Sequence, residues 1–362
     1  MKLGRSVQMT GWLLEHFPDL SAELGKLESR WLDSKLDSNI HNFAIQKPIY
    51  IGSLARSGST ILLESIVEHP STISFAYRDF PFVYFPVWWR RLSEKIFDMH
   101  APPTERAHGD RILVTPDSPE AFEEILWMYF FPQIHQSDLS QKLSGDRPDF
   151  ESYYRATIQK LLWQSGASRY VAKGNYHISR IDYLSRLFPD AQFVIPVRHP
   201  LTQVASLLRQ HKRFCHLENQ DIAILKYMQR AGHFEFGLDR RPVNIGNPED
   251  SRLIQQYFES GRDAEGYAEQ WRVIYRYVNE IRSRANVKLV FYEQLCSHAD
   301  DILSDLYQWL GLEASAEQHA LWQQRFSLPE HRQPVLSPED EQKVWQITGD
   351  VAQSLGYVLS SP

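Results

Sequence analysis

Apolar positions recur every three or four residues through 8–37 (Leu13, Leu14, Phe17, then Leu20, Leu24, Leu27 and Trp31), which predicts one or two amphipathic helices ahead of the main fold. Pro48-Ile-Tyr-Ile51 then reads as a short strand. A Gly/Ser-rich turn follows it, and Thr60 to Val67 has the spacing of a buried helix. The stretch from Phe75 to Leu92 is dense in aromatics (Phe80, Phe82, Tyr84, Phe85, Trp88, Trp89), and Pro81 and Pro86 interrupt any regular pattern there. It reads either as core or as the wall of a substrate cleft. Residues 102–119 read as loop, and 120–131 and 150–164 as helices.

Strand and helix then alternate. Tyr170-Val-Ala172 is a strand, 178–187 a helix, Gln192 to Val197 a third strand, and Pro200 opens a helix carried on by Leu201, Val204, Leu207 and Leu208. Residues 216–250 are polar with Gly and Pro breaks, which predicts an irregular insertion or lid before a long helix over 263–284. Val287 to Phe291 reads as a fourth strand, and helices over 300–310, 316–324 and 338–355 close the chain. Such alternation predicts an α/β fold with a mainly parallel sheet covered on both faces. Ligand loops are then expected at the strand carboxyl ends, after Ile51, Ala172, Val197 and Phe291.

Composition narrows the function classes. Lys and Arg number 39 against 45 Asp and Glu, a formal charge of −6 that provides no general basic field for nucleic acid, so any anion must be held locally. The amino end has no secretory pattern and no run of 18 apolar residues exists, so no membrane partner is expected. Only Cys215 and Cys296 are present, without CxxC spacing, and none of the 14 histidines falls in H-E-x-x-H. The expectation is a cytoplasmic protein without a metal site.

The first loop reads Gly52-Ser-Leu-Ala-Arg-Ser-Gly-Ser-Thr60 and runs straight into a helix. Backbone N–H groups at a helix amino end carry partial positive charge, and glycine lets an anion approach them. Ser57, Ser59 and Thr60 add hydroxyls and Arg56 a planar cation, so the loop reads as an oxyanion site; an ordinary strand-to-helix turn has the same composition. A nucleoside-triphosphate loop requires G-x-x-x-x-G-K-[ST]. Gly52 and Gly58 stand one residue too far apart, and Ser59 occupies the lysine position, which disfavours an ATP-dependent phosphotransferase. The third strand ends in Val197-Arg198-His199-Pro200, with Ser206 eight residues after Arg198. An arginine at a strand end can pair bidentately with phosphate, and a serine two helical turns on can donate to the same group.

ARSGST (55–60), YLSRLFPDAQFVIPVRHPLTQVAS (183–206) and FYEQL (291–295) together resemble the sulfotransferase family in order and spacing. Within it the likeness is strongest to tyrosylprotein sulfotransferases, through Lys173 before Y-L-S-R-L-F-P, Tyr292 in Y-E-Q-L, and the terminal Leu355-Gly-Tyr357. The resemblance implies a P-loop-like three-layer α/β fold with a central, mainly parallel sheet and added helices. Residues 1–47 would be N-terminal helices packed on the core, and 48–362 the sulfotransferase domain, with a helical insertion over about 213–285. It implies transfer of the sulfuryl group of 3′-phosphoadenosine 5′-phosphosulfate (PAPS) to an acceptor hydroxyl, with adenosine 3′,5′-bisphosphate (PAP) as product and no metal. By the resemblance, Arg56, Ser57, Gly58, Ser59 and Thr60 bind the 5′-phosphosulfate, Arg198 and Ser206 the 3′-phosphate, and Tyr292 and Arg332 also reach the cofactor. Arg56 and Lys173 are the implied catalytic cations, set where charge develops.

Two positions depart from the family pattern. Ser59 stands where threonine is frequent and keeps a hydroxyl. The glutamate expected soon after His69-Pro70 is absent, and Tyr77 occupies its place. Asp79 is the nearest carboxylate and the expected base, although an Asp79 that caps a turn or pairs with Arg78 has the same local sequence. Loss of that glutamate leaves a non-catalytic nucleotide-binding protein as the alternative. The acceptor stays open among a small molecule, a carbohydrate and a protein tyrosine, and so does the oligomeric state.

Overall fold

The computed structural model describes residues 11–12, 15–36, 43–96, 102–106, 109, 112–136, 141–326 and 336–359. A first helix, α1 (Pro18–Leu36), precedes β1 (Ile49–Ile51), and the loop after β1 leads into α2 (Ser59–Val67) and the short edge strand β2 (Thr72–Ile73). A 3₁₀ turn (Tyr77–Asp79), α3 (Pro86–Ile96), the two-stranded ribbon β3 (Thr104–Glu105) and β4 (Leu113–Val114), α4 (Glu124–Phe130) and α5 (Pro148–Ser165) follow. Then come β5 (Arg169–Lys173), α6 (His177–Leu187), β6 (Gln192–Val197), α7 (Pro200–Gln220), α8 (Ile222–Ala231), α9 (Pro248–Glu259) and α10 (Asp263–Ile281). The last strand is β7 (Val287–Phe291), and α11 (Tyr292–Ser297), α12 (Ala299–Leu310), α13 (Ala316–Arg325) and α14 (Pro338–Ser354) complete the order.

Five strands form one sheet in the order β2-β5-β1-β6-β7, and every pairing in it is parallel. Successive side chains on a strand point to opposite faces, and the sequence loads both. Ile49, Ile51, Val171, Val194 and Val290 pack with α2, α12 and α13 through Leu62, Ile66, Leu303 and Trp322. Tyr50, Tyr170, Ala172, Phe193 and Ile195 face the other way, against Ile158, Ile181 and Ile274 of α5, α6 and α10. The result is three layers. The chain leaves β1 toward β5 on one side and returns to β6 on the other, so the carboxyl ends of β5, β1 and β6 frame a crevice of the kind in which open α/β sheets bind ligands.

Several expectations change. Residues 216–250 are mostly helical: α7 runs unbroken to Gln220, α8 follows after Asp221, and irregular chain is confined to 232–247. Polar composition misled because the second half of α7 and the whole of α8 are amphipathic, burying Phe214, Ile224 and Met228 beneath polar faces, and residue 213 lies inside α7. The aromatic run is core. Pro86 occupies the first turn of α3, where a missing N–H costs nothing, and Phe80, Tyr84, Phe85 and Trp89 are buried. The helix expected from residue 120 starts at Glu124, and the loop over 102–119 contains the β3–β4 ribbon.

α1 is fastened to the domain by a buried ion pair. Lys160 Nζ of α5 lies 3.1 Å from Glu28 Oε2 and donates to the carbonyls of Gly25 and Tyr84 at 3.1 and 3.2 Å. Burial raises the Glu28 pKa and lowers that of Lys160, so each charge depends on the other for its stability. Lys160→Met strands the Glu28 carboxylate and is expected to cost about 3–5 kcal/mol. Urea unfolding measures this, and adding Glu28→Gln should restore part of the loss.

Candidate active site

Register brings the expected loops together. Ile51 pairs with Lys173 of β5 and with Val194 of β6, and Val197 pairs with Phe291 of β7. Arg198 and Tyr292 therefore leave the sheet side by side, and the Arg198 guanidinium lies 4.4 Å from the Tyr292 ring centroid, a cation–π contact. The Tyr292 ring also lies against the first loop. A Cβ on Gly58 would sit 2.7 Å from Tyr292 Cδ2, and Gly58 has φ +99°, so space and backbone both require glycine. Burial pushes the Tyr292 phenol up to about 12, against the opposing charge of Arg198.

The loop is tied down through its carbonyls. Gln203 Nε2 donates to the carbonyls of Leu54 and Ala55 at 3.2 and 3.0 Å, and Arg198 Nη1 donates to that of Arg56 at 3.1 Å. Arg56 takes φ +68°, strained for a residue with a side chain, and its Nε donates to Ser206 Oγ at 3.1 Å. The loop after β1 and the α7 serine thus touch. Ser57 Oγ is fully buried and has no hydrogen-bond partner among the described residues, at the amino end of α2. Ser53 serves the scaffold instead, donating to Pro196 O at 2.7 Å beside Tyr275 Oη.

The remaining sequence motifs act as braces. Glu293 Oε1 accepts from the His199 amide at 2.9 Å, and its Oε2 accepts from Tyr357 Oη at 2.8 Å. Y-E-Q-L and the terminal Leu-Gly-Tyr therefore hold the β6–α7 turn that carries Arg198. Arg325 pairs with Glu68, the residue that caps the end of α2. Arg332 lies outside the described residues.

Lys173 lies across the crevice. Its Nζ donates to Thr60 Oγ1 at 3.3 Å and to Glu120 Oε1 at 3.1 Å. Arg106, just after β3, reaches the same threonine hydroxyl at 3.3 Å and lies 3.7 Å from Glu120 Oε2. Arg56, Ser59, Thr60, Arg106, Glu120 and Lys173 line one narrow pocket together with Asn175, His233, Glu235 and Phe236. Sequence reading missed Arg106, Glu120, His233 and Glu235. They come from segments without a motif and meet the loop only by tertiary packing.

Asp79 is not in this pocket, which corrects its expected role. It is fully buried: Oδ1 accepts from Arg90 Nε at 2.7 Å, and Oδ2 accepts from Arg90 Nη2 and the Ala76 amide at 2.6 and 2.8 Å. Its partner is Arg90, not Arg78, and a carboxylate so engaged does not reach an acceptor. Tyr77, standing where the family glutamate was expected, donates through Oη to Glu120 Oε2 at 2.8 Å. A carboxylate has thus returned to the neighbourhood from a different segment.

The sulfotransferase family model matches residues 48–235, more than half of the chain. The chain belongs to the sulfotransferase family. Among solved structures, a sulfotransferase of Mycobacterium avium is similar at 15% identity and TM-score 0.52, over 93% of this chain and 83% of that one. A second, from Mycobacterium tuberculosis H37Rv, is similar at 15% identity and TM-score 0.50, over 92% and 86%. At such identity they establish the shared fold. No curated protein matches the chain. This sulfotransferase is an enzyme of sulfuryl transfer, with a P-loop-like α/β architecture. Among the described residues no helix is long and apolar enough to cross a membrane, and no cluster of metal-ligating side chains is found.

Burial raises the pKa of Glu120, but Lys173, Arg106 and His233 outweigh it and hold the carboxyl well below the usual range. A group depressed in the folded state adds stability that is complete above its unfolded pKa and is lost as pH falls through its folded value. Stability by urea unfolding is therefore expected to decline from about pH 4.3 downward. The decline should be shallower in Glu120→Gln, and an equal slope would contradict the assignment.

Proposed function

We propose that this sulfotransferase moves the sulfuryl group of PAPS to the hydroxyl of an acceptor that is a small molecule, a carbohydrate or a protein tyrosine. The observation that carries the reading is the 3.1 Å contact between Arg56 and Ser206. It makes one continuous surface of the loop that would hold the 5′-phosphosulfate and the Arg198–Ser206 element that would hold the 3′-phosphate. The donor set fits such a molecule. Ser57 Oγ, buried and unpartnered at the amino end of α2, has the position of an anion donor, and Gly58 leaves the loop open where a side chain would collide with Tyr292. Arg198 donates through Nε to Thr202 Oγ1 and through Nη1 to the Arg56 carbonyl, which orients its guanidinium and leaves Nη2 as the nitrogen for a phosphate oxygen.

When bound, the donor supplies a sulfur–oxygen bond whose cleavage leaves a bisphosphate. Arg56 and Lys173 place fixed positive charge around that position. Thr60 Oγ1 sits 3.3 Å from Lys173 Nζ, so the hydroxyl and ammonium converge on one point. Glu120 keeps Lys173 and Arg106 oriented before anything binds, which spares reorganisation during the transfer.

Calorimetric titration of PAP against ADP tests the donor. Wild-type protein should bind PAP in preference to ADP, and Arg198→Ala should lose about 1.5–3 kcal/mol of PAP affinity, the worth of a hydrogen bond to a charged group. Equal binding of both nucleotides by the wild type would overturn the reading.

A further inference from the structure

Sulfuryl transfer to a hydroxyl needs a group that takes the hydroxyl proton, and the residue expected for it is elsewhere. Of the groups lining the pocket, Arg56, Arg106 and Lys173 are cations without basic capacity, while Ser59, Thr60 and Asn175 are neutral. Glu120 already accepts from Lys173, Tyr77 and the Ala121 amide, and the charges around it depress its proton affinity. His233 and Glu235 remain.

These two form a built pair. His233 Nδ1 lies 3.6 Å from Glu235 Oε2, and Asn175 Nδ2 donates to Glu235 Oε1 at 2.6 Å. The Glu235 side chain is 2% exposed and that of His233 13%. The backbone is pinned around them. Gly232 ends α8 at φ +77°, Tyr176 Oη accepts from the Phe234 amide at 3.1 Å, and Tyr267 Oη donates to Glu235 O at 3.0 Å. Glu235 Oε2 has no hydrogen-bond partner among the described residues, and at 3.6 Å its charge favours the tautomer with the proton on Nδ1, which leaves Nε2 as the basic nitrogen. Nε2 makes no hydrogen bond among the described residues, and His233 lines the same pocket as Arg56, Thr60 and Lys173.

We propose that His233 is the general base of this sulfotransferase and that Glu235 positions it; the proposal rests on the donor reading above. His233 Nε2 takes the acceptor proton as the acceptor oxygen bonds to sulfur. The bond from sulfur to the 5′-phosphate oxygen breaks, its electron pair stays with the departing bisphosphate, and the imidazolium returns its proton to solvent. The charged groups that share the pocket with His233 are Glu235 on its own segment, Glu120, whose carboxylate feels its charge, and Arg56, Arg106 and Lys173.

The test uses full-length protein with labelled PAPS, following label release to 2-naphthol or to water, whichever the wild type performs faster, together with PAP binding by calorimetry. His233→Gln should lower kcat by about 100-fold or more while PAP affinity stays within about twofold. His233→Ala should regain activity with added imidazole, which a structural histidine would not allow. Glu235→Gln should lower kcat while PAP affinity stays within about twofold, and Glu235→Asp should recover part of the lost kcat, which a merely structural carboxylate would not show. Wild-type turnover retained in His233→Gln, with PAP still bound, overturns the base. Wild-type protein that neither binds PAP nor releases label overturns the donor reading on which it rests.

Discussion

The parallel register around β1 is the constraint on which the site depends. Ile51 is paired on one side with Lys173 and on the other with Val194, so the loop after β1 opens between the ends of its two neighbours. One further pairing, Val197 with Phe291, adds Arg198 and Tyr292 to the same edge. A one-residue slip in a strand would exchange the two faces of its side chains, and the apolar loading of both core layers forbids it. Packing of the sheet therefore positions the loop after β1.

Buried carboxylates make the second level of organisation. Within five residues, Glu120 holds Lys173 and Arg106, Glu123 accepts from Tyr170 and sits 2.9 Å from His177, and Glu124 pairs with Arg180 and His135. Glu123 and Glu124 join α4 to β5 and α6, while Glu120 turns the same segment into part of the pocket. Each of the three is buried, so each is secure only while its partners stay in place. Such a cluster fixes the direction of Lys173 more firmly than an exposed pair would.

The same logic explains the motifs. Glycine at 58 answers to Tyr292, Glu293 answers to His199 and Tyr357, and Arg198 serves both the loop carbonyl and the Tyr292 ring. These residues lie far apart in the chain and constrain one another in space, which is why their joint occurrence carries more information than any one of them. Asp79 shows the reverse case: nothing in Tyr77-Arg78-Asp79 reveals that Arg90, one turn into α3, takes both of its oxygens.

By itself, the sequence determined the alternation of elements, the strand limits of β6 and β7, the Gly/Ser-rich turn between β1 and α2 and the Arg198–Ser206 spacing, because each is a local pattern of apolar period, turn chemistry or motif distance. The tertiary structure decided the rest. Residues 216–231 are helical against a polar composition because their apolar faces, with Ile224 and Met228, find a core to cover. Glu120, Arg106 and the His233–Glu235 pair enter the pocket from segments whose local sequence has no signature, and packing alone sets their distances. Asp79 leaves it for the same reason, since a buried carboxylate goes to the guanidinium that can satisfy it.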